Sequence, residues 1–374
     1  MNEIRYFSMF TGVGGFEVGL APECGPGQSS SPSNRCELLQ RHKQSKKGFT
    51  CIGMSEWDKY SSQVLKYRFP DIKNWGDCTK IRPNELPDFD MLCGGFPCQS
   101  FSIAGKRKGF KDTRGTLFFE IARILEIKRP KIILLENVKG LLNHNKGETF
   151  RVIIQTLSEL GYDIQWMVFN SKFFGVSQNR ERVFIIGSLR GEPRPEILPF
   201  GAAAQEINLE YVGAIMSEQN QKWLEDGKDF SRNFPQGQRV YSADGCSSTL
   251  AENAGGLGGK TGLYAVLTPD RLKKRQNGRR FKEDGEPSFT LTGQDIHGVS
   301  DGYSIRRLTP VECCRLQGFP DDWNEFGINE KGEKVKMSDT QRYKQMGNAV
   351  TTNVIKAIGN RLLKTFALKD GGEQ

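Results

Sequence analysis

Histidine, zinc-type cysteine spacing and long apolar runs are what this chain has least of. Its 374 residues include only His42, His144 and His297, far apart in sequence. Nine cysteines occur without one Cys-x-x-Cys spacing. A Cys/His zinc centre therefore has no candidate ligand set, and no metal is expected. The odd cysteine number and irregular spacing also argue against a disulfide framework and for a reducing, cytoplasmic setting. No apolar run approaches the roughly 18 residues of a membrane span, so no membrane partner is expected. The N-terminal stretch MNEIRYFSMFTG lacks the layout of a secretory signal.

What is present suits a soluble globular chain of about two domains. Lys and Arg number 53 against 44 Asp and Glu, a formal net charge of +9. That balance permits a nucleic-acid partner without requiring one. The first half alternates strands and helices. Expected strands are Ile4–Phe10, Cys51–Met54, Asp90–Cys93, Lys131–Leu135 and Arg182–Ile186; expected helices start at Phe16 and cover Leu117–Ile127 and Phe150–Leu160. This pattern predicts an α/β fold, a doubly wound and mostly parallel sheet that binds ligands beyond its strands' carboxyl ends. Residues 190–304 are polar, glycine-rich and weakly periodic, as a smaller second domain would be. Helical periodicity returns over Ala349–Phe366, placing a terminal helix back on the first domain. The hydrophilic segment Gly25–Lys47 reads as a surface loop.

The unusual residues cluster at strand ends. Thr11-Gly12-Val13-Gly14-Gly15 lets a ligand approach the backbone between a strand and a helix, though packing alone also explains such a turn. Glu56 follows the second strand, where a carboxylate can hold ribose hydroxyls, and Trp57 offers a face for adenine. Asp77 is either an acceptor for an adenine amino group or an ordinary cap. No Walker-type lysine follows the glycines, so the three together suit an adenosine cofactor without a phosphate. Pro97-Cys98-Gln99 fixes an exposed cysteine beside Lys106, Arg107 and Lys108, where a thiolate would be favoured. Glu136 sits at the end of the next strand, and Gln178-Asn179-Arg180-Glu181-Arg182 leads into another. In an extended segment both arginines point the same way. A thiol, an acid and paired arginines on one sheet edge form a reactive constellation that does not by itself name a reaction.

With these residues in hand the chain resembles the DNA cytosine-C5 methyltransferases of the bacterial and phage restriction-modification type. Phe10–Phe16, Pro97-Cys98-Gln99, Glu136-Asn137-Val138 and Gln178–Arg182 match family motifs in family order. So do Arg307-Leu308-Thr309-Pro310 through Gly318-Phe319-Pro320, and Gln345-Met346-Gly347-Asn348-Ala349-Val350. The resemblance implies a Rossmann-like catalytic domain over 1–189 and 335–374, a target-recognition domain over 190–304 and a connecting segment over 305–334. It implies S-adenosyl-L-methionine held by Phe10, Gly12, Val13, Gly14, Gly15, Glu56, Trp57, Asp77, Cys78, Pro97 and Asn348. It implies covalent attack by Cys98 on cytosine C6, a proton from Glu136, and Arg182 on the base O2 with Arg180 in support. The substrate would be double-stranded DNA with its cytosine flipped out. Gln99–Thr116 would close over that base, with Gln99, Ser102, Lys106, Arg107 and Arg114 meeting DNA. Two Thr-Leu pairs, Thr249-Leu250 and Thr290-Leu291, compete for the place near the flipped base, and the sequence does not choose.

Two positions depart from the family pattern: Ser8 replaces a frequent Asp, and Ala104 a frequent polar residue. The expected protein is a monomer, compatible with a cognate restriction endonuclease for the same site. A tRNA cytosine-C5 methyltransferase on this fold is the nearest rival, disfavoured by the roughly 115-residue second domain. A non-catalytic DNA-binding regulator would be expected to lose the cysteine, the acid or the arginines, all of which are here. A nicotinamide oxidoreductase leaves Cys98, Glu136 and Arg182 unexplained.

Overall fold

The computed structural model describes residues 3–21, 48–97, 117–192, 286–293 and 305–367, with short strands at 211–214, 239–241, 264–267 and 297–300. Its centre is a six-stranded sheet of β1 (Glu3–Met9), β2 (Gly48–Ser55), β3 (Met91–Gly95), β4 (Ile132–Val138), β5 (Tyr162–Asn170) and β6 (Glu181–Leu189). The order is β2-β1-β3-β4-β6-β5. Pairs among β1 to β4 are parallel, whereas β6 runs antiparallel to both β4 and β5. The chain leaves β1 to one side for β2 and to the other for β3, which makes the carboxyl end of β1 a topological switch point.

Alternation along the strands builds a core on each face. Ile4, Tyr6, Cys93, Leu134 and Ile186 lie in one cluster, with α1 (Gly15–Leu20) contributing Phe16 and Leu20. Phe7, Met9, Leu92, Ile133, Leu135 and Ile185 lie in the other. They meet Ile121 and Leu125 of α3 (Leu117–Lys128) and Ile153 and Leu157 of α4 (Glu148–Glu159). A third cluster joins α2 (Lys59–Arg68) to the C-terminal part through Val64, Leu65, Cys313, Cys314, Phe319 and Trp323. Within it the Trp323 indole donates to the Val13 carbonyl at 2.7 Å. Arg68 donates through Nε to the Trp323 carbonyl at 2.8 Å.

Three expectations need correction. The segment Tyr162–Asn170 is a nine-residue strand that the sequence reading left out. It is an edge strand with mixed exposure, so its alternation is weak. Lys59–Arg68 is likewise an unanticipated helix, capped by Asp58 through a 2.9 Å bond from the Ser61 N–H. The terminal helix expected over Ala349–Phe366 is α7 (Thr352–Ala367), starting three residues later, and α6 (Asp339–Asn348) before it was not anticipated. Ala349 between them is extended, with ψ of 150°. Val350, Val354, Ile355, Ile358 and Leu362 join the first cluster, so the terminal helix does return to the first domain.

The rest of the described chain is lighter. β7 (Tyr211–Ala214) pairs with β8 (Arg239–Tyr241), and β9 (Tyr264–Leu267), β10 (His297–Ser300) and β11 (Ile305–Arg307) form a small sheet. α5 (Pro310–Leu316) opens with a complete capping box between Thr309 and Glu312. No helix among the described residues is long and apolar enough to cross a membrane.

Candidate active site

Two connected cavities of about 260 and 500 Å³ lie at the carboxyl edge of the sheet and share Phe10, Glu56, Trp57 and Leu117. Phe10 occupies the residue after β1 with φ of 55°, a left-handed conformation that costs a non-glycine residue about 1–2 kcal/mol. Such strain concentrates where a chain must present a group to a ligand. The smaller cavity adds Ser55, Gly76, Asp77 and Cys78. Trp57 is 78% exposed and offers an open ring face.

Glu56 is held from both sides. One carboxylate oxygen accepts from the Gly12 N–H at 2.7 Å and the other from the Asp58 N–H at 2.8 Å. Burial nonetheless raises its pKa above the usual carboxylate range. Asn74, which sequence reasoning missed, fixes the Glu56 backbone: its side chain accepts from the Glu56 N–H and donates to the Glu56 carbonyl, each at 3.0 Å. Asp77 does cap the turn that follows, through the Thr79 N–H at 3.0 Å, while also lining the smaller cavity. The capping and ligand readings are thus both compatible with its position. Among the described residues, the smaller cavity has two acids and no cation in its wall, a poor match to any phosphate.

The glycine turn meets the larger cavity at Gly12 and is closely packed beyond it. Gly12 lines the larger cavity, but Val13, Gly14 and Gly15 are absent from both walls. Val13 is buried in the third cluster. A Cβ on Gly15 would stand 2.6 Å from Val350, and one on Gly14 2.9 Å from Phe69. These glycines serve close packing.

At the far end of the larger cavity Arg182 Nε pairs with Glu136 at 3.1 Å, their side chains 15% and 12% exposed. The antiparallel course of β6 makes this meeting. Its first residues lie opposite the last of β4, with Arg182 facing Val138. Burial raises the Glu136 pKa, and the charges of Arg182 and Arg180 offset this only in part. Burial likewise lowers Arg182. Asn137, quoted in the motif but given no duty, ties β4 to the approach of Cys98. Its amide donates to the Phe96 carbonyl at 2.7 Å and accepts from the Val138 N–H at 2.8 Å. Pro97 lines the same cavity. Cys98 itself, with Gln99, Ser102, Lys106, Arg107 and Arg114, lies outside the described residues, as do Ala104, Thr249 and Leu250 and the insertion 25–47.

Arg180 has a role that its spacing did not announce. Nη1 donates to the Leu291 carbonyl at 2.7 Å, and Nη2 to those of Ala349 and Gly347 at 2.8 and 3.2 Å. Burial pulls its pKa down to about 9. It lines the cavity but spends both terminal nitrogens on protein, leaving Nε without a partner among the described residues. Arg182 thus faces the acid, while Arg180 braces the backbone at Leu291, Gly347 and Ala349.

Thr290 and Leu291 are also spent on protein. The Thr290 hydroxyl donates to the Asn179 carbonyl at 2.5 Å, and the Leu291 N–H to the Gln178 side-chain oxygen at 2.9 Å. The Leu291 side chain is buried in the third cluster. This pair anchors residues 286–293 against the arginine segment. Asn348 lines the larger cavity, as expected. Gly347 beside it lets the anchor approach: an added Cβ would fall 2.2 Å from the Thr292 carbonyl carbon. Backbone cannot rotate away, so Gly347→Ala should cost about 2 kcal/mol by overpacking. Denaturant melts of the two proteins check this, and an unchanged midpoint would show that the anchor yields easily.

Comparison with known proteins was made against this geometry. The family described as C-5 cytosine-specific DNA methylase matches residues 4–364. The orphan methyltransferase M.SPRI of Bacillus phage SPR is 35% identical, over 99% of this chain and 100% of its own. The type II methyltransferase M.HhaI of Haemophilus parahaemolyticus is 32% identical, over 99% of this chain and 97% of its own. Among solved structures, S. pombe Dnmt2 methyltransferase superposes with a TM-score of 0.58 at 16% identity, covering 97% of this chain and 99% of that one. At such identity the likeness speaks for the fold alone.

Proposed function

This chain belongs to the C-5 cytosine-specific DNA methylases, and from that membership we propose that it methylates C5 of a cytosine flipped out of duplex DNA, using S-adenosylmethionine. The observation that carries the reading is the buried Glu136–Arg182 pair at one end of a cavity whose other end suits an adenosine. The fit to the cofactor rests on this chain's own groups: the open Trp57 face, the Phe10 ring, and the Glu56 and Asp77 carboxylates, with no phosphate-binding cation among them. Bound there, S-adenosylmethionine supplies an electrophilic methyl group.

The protein's task is to make a poorly nucleophilic carbon reactive. Cys98, delivered as thiolate by the Phe96-Pro97 approach that Asn137 holds, adds to C6 of the base. Glu136 gives a proton to N3 as this bond forms, which turns C5 into an enamine carbon. Burial raises its pKa, which favours the protonated form. Arg182 holds O2 and stabilises the charge developing on the ring. Arg180 fixes the Gly347–Ala349 segment around Asn348. After transfer the C5 proton passes to water, the Cys98–C6 bond breaks to release the thiolate, and N3 returns its proton to Glu136. The target carbon is stacked inside a duplex, so the base must leave the helix to reach this cavity.

The test is a base-resolution map of 5-methylcytosine in a bacterial host that normally has none, after expression of the full chain. Methylation confined to one short sequence is the expected result. A blank DNA map with modified cytosine in tRNA would transfer the activity to RNA. Blank maps for both would overturn the reading and leave a DNA-binding role. The relatives' names include orphan and type II methyltransferases, so action with or without a partner endonuclease fits equally.

A further inference from the structure

Just before β6 the chain runs beside residues 286–293. Gln178 and Ser288 form a parallel bridge, with the Asn179 N–H donating to the Ser288 carbonyl at 3.0 Å and the Ser288 N–H to the Ser177 carbonyl at 2.9 Å. Gln178 is the centre of this joint, and its side chain is fully buried. Its amide oxygen accepts from the Leu291 N–H at 2.9 Å, and its amide nitrogen donates to the Leu316 carbonyl at 2.8 Å. One side chain thereby ties together the lead into Arg180 and Arg182, residues 286–293 and the last residue of α5. Only one orientation of the amide satisfies both neighbours, because the other sets donor against donor and acceptor against acceptor. Gln178 lies in the wall of neither cavity, and the reaction makes no use of it.

Residues 286–293 in turn lie against the wall of the larger cavity. Arg180 donates to the Leu291 carbonyl at 2.7 Å. Thr292 packs against Gly347, and a Cβ on Gly293 would stand 3.0 Å from Asn348 Oδ1. Arg180, Gly347 and Asn348 all line that cavity. Beyond this strap comes β10, in the small sheet with β9 and β11. Resting on the reading of residues 190–304 as the part that recognises DNA sequence, we infer that Gln178 is a positioning residue for target discrimination. It fixes the recognition part to the arginine segment, so that a cytosine in the correct sequence arrives in register with Glu136 and Arg182. A misplacement of about 1 Å at a reacting centre can cost about a hundredfold in rate. A rigid joint therefore turns sequence recognition into rate. Cytosines that reach the cavity without those recognition contacts gain nothing from the joint and lose nothing when it loosens.

Single-turnover methyl transfer by the full chain tests this, on two saturating duplexes. One carries the sequence found in the methylation map, and the other has one base pair beside the cytosine changed. Gln178→Met keeps the length and removes both side-chain bonds, and the ratio of the two rates should fall about tenfold, through the target rate. Thr290→Val loses only the hydroxyl bond to the Asn179 carbonyl. It should lower the ratio about threefold while binding the target duplex as tightly as wild type, and Thr290→Ser should restore the ratio. The double variant should be no worse than Gln178→Met, because both changes open one joint. A merely structural role reduces the folded fraction and scales both rates together, so an unchanged ratio overturns the inference. Should Gln178→Met not fold, the Thr290 variants decide alone. A wild type with no preference between the duplexes overturns instead the reading of residues 190–304 beneath it.

Discussion

Glu136→Gln slows methyl transfer about a thousandfold and leaves the affinity for S-adenosylhomocysteine unchanged, as loss of a positioned acid should. Glutamine retains the shape and one acceptor for Arg182, but its amide has no proton of useful acidity for N3. Glu136 is confined by Arg182 and by the backbone at Gly95, on a strand end that Asn137 holds. Arg182 sits at 3.1 Å, the Val138 backbone is fixed by Asn137, and a Cβ on Gly95 would reach Glu136 Oε2 at 2.9 Å. The substitution is therefore isosteric in a rigid socket, and the loss reports on chemistry. Single-turnover transfer from labelled S-adenosylmethionine to a duplex measures it. Cys98→Ser, which removes the attacking thiolate, should abolish both transfer and trapping of a covalent complex with a duplex carrying 5-fluorocytosine. A Glu136→Gln enzyme as fast as wild type would remove the acid from the proposed mechanism.

Stability should fall by roughly 3 kcal/mol as pH rises from about 4.5 to above 7, through one carboxyl that the reaction does not use. Glu17 on α1 is 1% exposed, and neither oxygen makes a hydrogen bond of good geometry among the described residues. Burial raises its pKa to about 7, with the Ser8 hydroxyl and the backbone offsetting only part of the effect. Tyr6, Cys51 and Cys93 lie close enough for its charge to raise their own pKa values, already pushed up by burial. The sign follows from the raised value. Below the unfolded pKa both states hold the proton; between the two values only the folded state holds it, so unfolding gains as pH rises. Above about 7 the penalty is complete. Glu17→Gln, neutral throughout, should flatten that part of the profile, and urea melts between about pH 5 and pH 8 would show it. Parallel profiles for the two proteins would mean that Glu17 is ionised in the fold after all. The same cluster gives a reason for Ser8: an aspartate there would set a second carboxyl beside Glu17 in an apolar core.

The motifs lay in plain view in the sequence because their logic is local. Phe10–Gly15, Glu56-Trp57 and Glu136-Asn137 each lie at the carboxyl end of a strand in a strongly apolar run, so their arrival at one edge follows from the parallel sheet. The chemistry of Cys98, Glu136 and Arg182 is legible from residue type, and the order of the motifs led to the family. Less local facts could not be read. Arg180 meets carbonyls 111, 167 and 169 residues away. No periodicity encodes such partners, so the support expected of Arg180 came without named contacts. The two Thr-Leu pairs were indistinguishable for the same reason: only packing shows Leu291 buried and the Thr290 hydroxyl spent on Asn179.

What the sequence determined by itself was the α/β fold, the strand-end placement of the reactive residues and, through the order of its motifs, the family, because strand patterning and motifs act over a few residues. What only the tertiary structure decided was which groups face each other. β6 turns antiparallel and carries Arg182 to Glu136, Asp58 and Lys344 close on each other across the cavity, and Gly14 and Gly15 leave no room for a side chain beside Phe69 and Val350. Each of these depends on surfaces brought together from distant parts of the chain, where close packing selects one arrangement and local preference is silent.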